Sequence, residues 1–289
     1  MKNLISVVIP TSCRPITLLD QAVQSVLTQS LSVYEIIIVD DNKDNILSEE
    51  LASYCCKNNL VYIASNKVGA AAARNIGISI AKGNYVAFLD DDDIWLPNKL
   101  QLQMKLFSED NVGLVYSRGY TIKKTIDNIS QIPYATDSYY KTEVTYLDLL
   151  EKNYIGTTTQ LVIKKSALIH INGFDEALPS RQDYDLCLRI ACDFRCLGVN
   201  EYLFIHYIHD KGQITANAYI NMKGYQLLFK KFKTDIYRVN DAPRKWCYRI
   251  TRYTLASSSY AVFMKYLLVA IAYKPKKMIE TIKKCFNYK

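Results

Sequence analysis

"ISVVIPTSCRPITLLDQAVQSVLTQSLSVYEIIIVDD", residues 5–41, reads as strand, helix, strand. Its ends, ISVVIP and EIIIVDD, are short β-branched runs, and between them Ile16–Thr28 repeats apolar residues at helical spacing. The alternation continues with a helix near Leu47–Lys57, the strand LVYIAS (60–65), a helix through AAAARNIGISIAKG (70–83) and the strand YVAFLDD (85–91). Strands joined by helices pair in parallel, with the helices covering both faces of the sheet. The predicted class is therefore α/β. In open sheets of this kind ligands collect at the carboxyl ends of the strands. Three of those ends carry PTS, DD and DDDD.

Further along, a helix is predicted through NKLQLQMKLF (98–107) and a strand at VGLVYSRGYTI (112–122), followed by a Tyr-rich, loop-like stretch to about Thr142. Then come a helix at Tyr146–Lys152, a strand at TTTQLVIKK (157–165), a turn at INGFDEALPSRQ, a helix at YDLCLRIACDF and a strand pair in RCLGVNEYLFIHYIH. After Ala216 the pattern is helical to the end. With 49% apolar and 22% charged residues, the chain has the composition of a folded protein. The eight cysteines form no CxxC pair or ordered zinc spacing, and are expected to be reduced thiols. The N-terminus lacks the apolar stretch of a secretory signal, so a cytoplasmic location is expected.

The net charge of +8 is unevenly distributed. Residues 221–289 hold 16 of the 36 basic and 3 of the 28 acidic residues, so this segment carries +13 and the rest −5. A uniformly basic chain would suggest nucleic acid; here the acidic-leaning part holds the candidate chemistry and no nucleic-acid partner is expected. Two parts are predicted: a nucleotide-binding and catalytic domain at 1–220, and a basic helical extension at 221–289.

Asp90 to Asp93 stand in a row behind an apolar strand. Two carboxylates about 5 Å apart repel by roughly 3 kcal/mol at an effective dielectric near 20, so four together need compensation. In extended chain Asp90 and Asp92 would share one face and Asp91 and Asp93 the other. Such a pair can chelate Mg²⁺ or Mn²⁺, which in turn grips phosphate oxygens. A solvated acidic turn with one aspartate capping the next helix is the alternative. Asp93 has the most structural character of the four. Asp40 and Asp41 end another strand at the same rim, where a carboxylate can accept hydrogen bonds from a base or ribose, or simply cap a turn. Thr11 offers a hydroxyl there. Arg74, in KVGAAAARN, could pair with phosphate, whereas helix packing explains the alanines but not the arginine. Without GxGxxG or a P-loop, ordinary NAD-binding and NTPase readings are disfavoured.

Taken together, VVIPTSCRPITLLDQAVQSVLTQS, EIIIVDDNKDN, NKVGAAAARNIGISIAKGNYVAFLDDDDIWLPNKLQLQ and INGFDEALPSRQDYDLCLRI resemble glycosyltransferase family 2 in order and spacing over roughly residues 4–215. The resemblance implies the GT-A fold and inverting transfer from a nucleotide sugar, here a UDP-sugar, with Mn²⁺ or Mg²⁺ as cofactor. It places Thr11 and Asp41 in the nucleotide pocket, Asp91 near the ribose, and Asp90 and Asp92 at the ends of a metal-binding DxD element. Arg74 matches the family's ARN run. Asp183 matches the catalytic base, and could equally cap its helix; Asp185 is its structural neighbour. His209 stands where family members carry a histidine that contacts metal or diphosphate, while His206 and His170 read as structural. Trp95 belongs beside the site or in the core.

The implied activity is hexosyl or hexosaminyl transfer to a saccharide or lipid-linked saccharide. A nucleotidyltransferase would need a glycine-rich basic loop that PTSCRP lacks, and a catalytically silent sugar-nucleotide-binding protein is the other alternative. Within the tail, YAVFMKYLLVAIAY (260–273) is too short to span a bilayer and is interrupted by Lys265. It suits a helix lying in the interface of an anionic membrane, at the inner face of the plasma membrane, or else a soluble helix packing on the core or a dimer partner.

Overall fold

The structure of the chain, a computed structural model, describes residues 4–42, 45–66, 69–124, 129–134, 140–208, 217–257 and 260–273. Strand β1 (Ile5–Thr11), helix α1 (Ile16–Leu27), β2 (Glu35–Asp40), α2 (Asn45–Lys57), β3 (Val61–Ala64), α3 (Ala70–Ile80) and β4 (Tyr85–Phe88) follow the predicted alternation. After them come β5 (Ile94–Trp95), α4 (Lys99–Leu106), β6 (Val112–Lys124), β7 (Ile129–Pro133), β8 (Glu143–Val144) and α5 (Tyr146–Glu151). A 3₁₀ turn (Thr158–Gln160), β9 (Val162–Lys164), α6 (Lys165–His170), α7 (Gln182–Asp193) and β10 (Arg195–Ile208) complete the sheet region. Four helices end the described chain: α8 (Ala218–Lys231), α9 (Lys233–Arg238), α10 (Ala242–Ala256) and α11 (Tyr260–Tyr273).

Among the described residues one sheet forms, in the order β3-β2-β1-β4-β9-β6-β10-β5, with β7 and β8 added at its side. The first four strands are parallel, as the helical crossovers require. Strand β9 inserts antiparallel between β4 and β6. The period-2 alternation of each strand then divides the apolar residues into two layers. Val7, Ile9, Ile36 and Ile38 face α1, α2 and α4, while Val8, Ile37, Val39 and Phe88 face α3 and α7. Helix α3 lies so close to β1 that a Cβ on Gly77 would stand 2.4 Å from the Val8 side chain, and only glycine fits there.

Three expectations change in the folded chain. RCLGVNEYLFIHYIH is not a strand pair but one long strand whose register slips at three points along β6. The Tyr-rich stretch contributes β7 rather than only loop, and the residues just after it form β8. In TTTQLVIKK the threonines form a 3₁₀ turn, because Thr157 accepts from the Thr159 backbone N–H and thereby competes with strand pairing.

The basic helices are packed into the protein. Met222, Leu228, Trp246, Cys247 and Ile250 join the same apolar cluster as Tyr184 and Leu188 of α7. Trp246 stacks on Tyr184 at 5.5 Å and 6°, and its indole N–H donates to the Leu150 carbonyl at 2.6 Å. Lys245 pairs with Glu151, and Tyr146 donates to Asp235 at 2.8 Å. No helix among the described residues is long and apolar enough to cross a membrane. The seven cysteines among them are all free. Because Trp246 is fully buried and hydrogen-bonded, Trp246→Ala is expected to destabilise the whole chain by about 3–5 kcal/mol in urea denaturation. A loss under about 1 kcal/mol would mean that the helices are not coupled to the core.

Candidate active site

The four aspartates do not continue β4 as an extended strand. The Asp93 backbone N–H donates to the Asp90 carbonyl at 3.1 Å and closes a turn, so the predicted face alternation does not occur. Asp90 instead receives Arg74 Nη2 at 2.6 Å and the hydroxyls of Thr157 and Thr158 at 3.3 and 3.1 Å. Burial pushes its carboxyl up, but Arg74, Thr158 and His206 outweigh that and hold it below the ordinary range. Asp91 accepts the Thr11 hydroxyl at 2.6 Å and lies 3.7 Å from Arg14 Nε. Burial, opposed by Thr11 and Arg14 and reinforced by its two neighbouring carboxylates, raises it to about 7. Asp92 receives Arg14 Nη2 at 2.8 Å.

Asp93 turns inward. It is 1% exposed and accepts from the Thr159 hydroxyl at 2.6 Å, from His206 Nδ1 at 3.0 Å and from the Tyr207 backbone N–H at 3.2 Å. Its structural role agrees with the sequence reading. Burial works against protonation of His206, yet the Asp93 carboxylate prevails and raises its basicity. Beneath the turn, Trp95 is a core residue whose indole donates to the Thr159 carbonyl at 2.8 Å.

At the end of β2, Asp41 accepts from the Ser65 hydroxyl at 2.7 Å and from the Gly69 backbone N–H at 3.0 Å. Asp40 points elsewhere, to Tyr62 at 2.7 Å. Asp183 lies in the first turn of α7, where Oδ1 accepts from the Tyr184 N–H at 2.8 Å. Enclosure raises its carboxyl above the ordinary value, although Arg181 and Arg74 pull it back. Asp185 faces away, fully buried between Arg189 and Lys231 at 2.7 Å each. The two acids of RQDYD thus have different surroundings.

The residue before α7, Arg181, adopts a left-handed conformation (φ 65°). Its guanidinium donates to Asn221 at 2.7 Å and to the Tyr253 hydroxyl at 3.1 Å, and sits 4.7 Å from the Tyr225 ring centroid. Ser180 donates to the Ile220 carbonyl at 3.0 Å, and a Cβ on Gly224 would meet the Ser180 hydroxyl at 2.2 Å. The segment that delivers Asp183 is therefore clamped by α8 and α10.

Thr11, Asp41, Arg74, Asp90, Asp91, Asp92 and Asp183 all border one cleft of about 790 Å³. His209 lies outside the described residues. Arg14, His206, Thr157, Arg181 and Asn221 also border the cleft. Sequence reasoning missed them as site residues: Arg14 had a signal, a cation directly after a strand end, whereas Asn221 is distant in sequence and had none. Among the described residues no three acidic, histidine or cysteine side chains are grouped as a ready metal cage. The donor set nonetheless fits a hard cation held by one or two carboxylates together with phosphate oxygens, which is how Mg²⁺ is commonly bound.

Comparison with known proteins matches this geometry to a family. The pattern describing glycosyl transferase family 2 covers residues 6–171, more than half of the chain. WcaA of Escherichia coli K12, whose name assigns it to colanic acid biosynthesis, is 32% identical over 251 residues, 81% of this chain and 83% of its own. WfgD of Escherichia coli, a UDP-Glc:alpha-D-GlcNAc-diphosphoundecaprenol beta-1,3-glucosyltransferase, is 27% identical over 223 residues, 76% of this chain and 83% of its own. The crystal structure of Staphylococcus aureus TarS 1-349 in complex with UDP-GlcNAc has a similar fold, with a TM-score of 0.62 at 15% identity, covering 94% of this chain and 92% of that one. Against a longer TarS chain, coverage of TarS falls to 54%. The fold is thus the GT-A arrangement that the sequence motifs implied, and the chain belongs to glycosyl transferase family 2.

Proposed function

We propose that the protein is a metal-dependent inverting glycosyltransferase that moves a hexosyl or hexosaminyl group from a UDP-sugar to a hydroxyl of a lipid-linked or growing surface saccharide. The observation that carries this reading is the meeting in one cleft of a nucleotide-type rim, Thr11, Asp41 and Arg74, with the Asp90–Asp92 turn and a separate enclosed acid, Asp183. UDP as the nucleotude carrier is supported by the donor named for WfgD and by the ligand of TarS. A lipid-linked acceptor at the inner face of the membrane is supported by the acceptor named for WfgD and by the +13 charge of residues 221–289.

In this reading Asp41 accepts hydrogen bonds from the base, Asp91 and Thr11 stand near the ribose, and Arg74 is positioned to turn from Asp90 toward a phosphate oxygen. A divalent cation, Mn²⁺ or Mg²⁺, held by Asp90 and Asp92 would neutralise their charge and that of the departing diphosphate. The acceptor oxygen attacks C1 from the face opposite the diphosphate as the bond from C1 to the phosphate oxygen breaks. Asp183 takes the acceptor's proton. The clamp at Arg181 fixes where that acid stands, and Arg14, which borders the same cleft, adds a positive charge on the diphosphate side. His209, on this reading a further contact to metal or diphosphate, remains a proposal from family resemblance alone.

Asp92→Asn is expected to abolish the Mn²⁺-dependent part of donor binding, read as thermal shift with UDP-, GDP- and dTDP-sugars with and without Mn²⁺. A variant that binds UDP-sugar with Mn²⁺ as tightly as the parent would refute the metal assignment.

Asp183→Asn should separate binding from chemistry: donor affinity stays within a few fold, while transfer falls at least about 100-fold. The base works ionised, and its folded pKa is raised. Transfer by the parent should accordingly fall as pH drops through a value above the ordinary aspartate range. Unchanged transfer in the variant would move the base elsewhere.

A further inference from the structure

Helix α8 has two faces with different surroundings. Asn221 and Gly224 face Arg181 and Ser180 at the active site, whereas Lys223, Leu227 and Lys230, at helical spacing, border a second cleft of about 620 Å³. Its other walls include Lys233 from the start of α9 and Lys265 from α11. The floor is apolar: Phe229 meets Tyr266 edge-on at 5.9 Å, and Leu227 is 40% exposed.

The charges of this groove are unusual for these helices. Lys231 pairs with Asp175 and Asp185, Arg238 with Asp235, Arg244 with Asp241 and Lys245 with Glu151. Lys223, Lys230, Lys233 and Lys265 form no ion pair among the described residues, and all four are exposed. Beside the groove, α11 presents Tyr260, Met264 and Leu268 at 69%, 51% and 58% exposure. Spaced four residues apart, they make one apolar stripe, where single exposed apolar residues would be ordinary.

Four like charges around an apolar floor concentrate a positive potential that wants an anion with a hydrocarbon body. A free phosphate would satisfy the lysines and leave the floor and the stripe in water. We infer that the α8–α9–α11 groove docks an anionic phospholipid of a bilayer surface, with the lipid phosphate among Lys223, Lys230, Lys233 and Lys265. Its first methylenes cover Leu227 and Phe229, while Tyr260, Met264 and Leu268 lie in the interfacial layer. The docking face and the catalytic acid are then joined through one helix. The inference builds on the proposed use of a membrane-borne acceptor, and its test reads lipid binding separately from donor binding.

The experiment is flotation of the full chain with vesicles of phosphatidylcholine alone or mixed with phosphatidylglycerol, at low and high salt. The parent should float with the anionic vesicles, release as salt rises, and ignore pure phosphatidylcholine. Each well-placed lysine contributes about five-fold, so Lys230→Glu with Lys233→Glu should weaken binding by about 25-fold or more. Lys57→Glu with Lys105→Glu, the same charge change on helices α2 and α4, should weaken it far less. Thermal shift with UDP-sugar confirms that each variant is folded. Equal flotation of parent and groove variant, equal losses in both variants, or no flotation of a parent that still binds UDP-sugar would each overturn the lipid site and leave the transferase reading standing. So would equal protection by soluble pyrophosphate, which marks a free-anion site. A parent dimer in light scattering that the groove variant dissolves, without vesicle binding, would assign the face to a second copy of the chain.

Discussion

Charge compensation at the aspartate turn is the constraint around which the cleft is built. Four consecutive carboxylates cannot stand together without partners, and the fold brings those partners from widely separated elements. Arg14 comes from the loop after β1, Arg74 from α3, Thr157 to Thr159 from the 3₁₀ turn, and His206 from β10. The turn itself assigns the work: Asp93 goes inward to Thr159 and His206, and Asp90, Asp91 and Asp92 are left at the cleft. Arg14 and Arg74 hold these carboxylates through charge-assisted hydrogen bonds, so the cleft carries two guanidinium groups already in place.

The second organising contact lies at the opposite wall. Arg181 in its left-handed conformation ties the start of α7 to Asn221 of α8 and Tyr253 of α10. The family pattern covers residues 6–171, so the candidate base and its support both lie beyond it. Helices rich in lysine and arginine are consequently part of the support of the candidate site. Their inner faces bury Trp246 and Met222, their ion pairs reach Glu151 and Asp185, and among the described residues their outer faces keep the unneutralised lysines.

Much of the sheet was legible because its signals are local. The β-branched runs, the helical spacing of Ile16–Thr28 and the small residues around Gly77 are each read within a dozen residues. The elements that were misread depend on distant partners. The threonines of TTTQ have strand propensity, but their hydroxyls find Asp90 and Asp93, some 66 to 68 residues away, and the chain winds into a 3₁₀ turn. The strand at 195–208 stays continuous because bulges absorb its mismatch with β6, and a bulge leaves no mark in hydrophobic alternation.

By itself the sequence determined the α/β alternation, the rim of the sheet where polar ends accumulate, and the chemical types gathered there: paired carboxylates, an arginine on a helix of small residues, and an acid at the start of α7. These follow from periodicity and from side-chain chemistry, which are properties of short segments. Tertiary structure alone decided that Arg14, His206 and Arg181 border the cleft and that the basic helices close one wall, and it supplied the partners that hold Asp93 inward and Asp185 apart from Asp183. Each of those outcomes depends on which oppositely charged or hydrogen-bonding group arrives across the fold, and that is set by the packing of the two apolar layers rather than by any stretch of sequence.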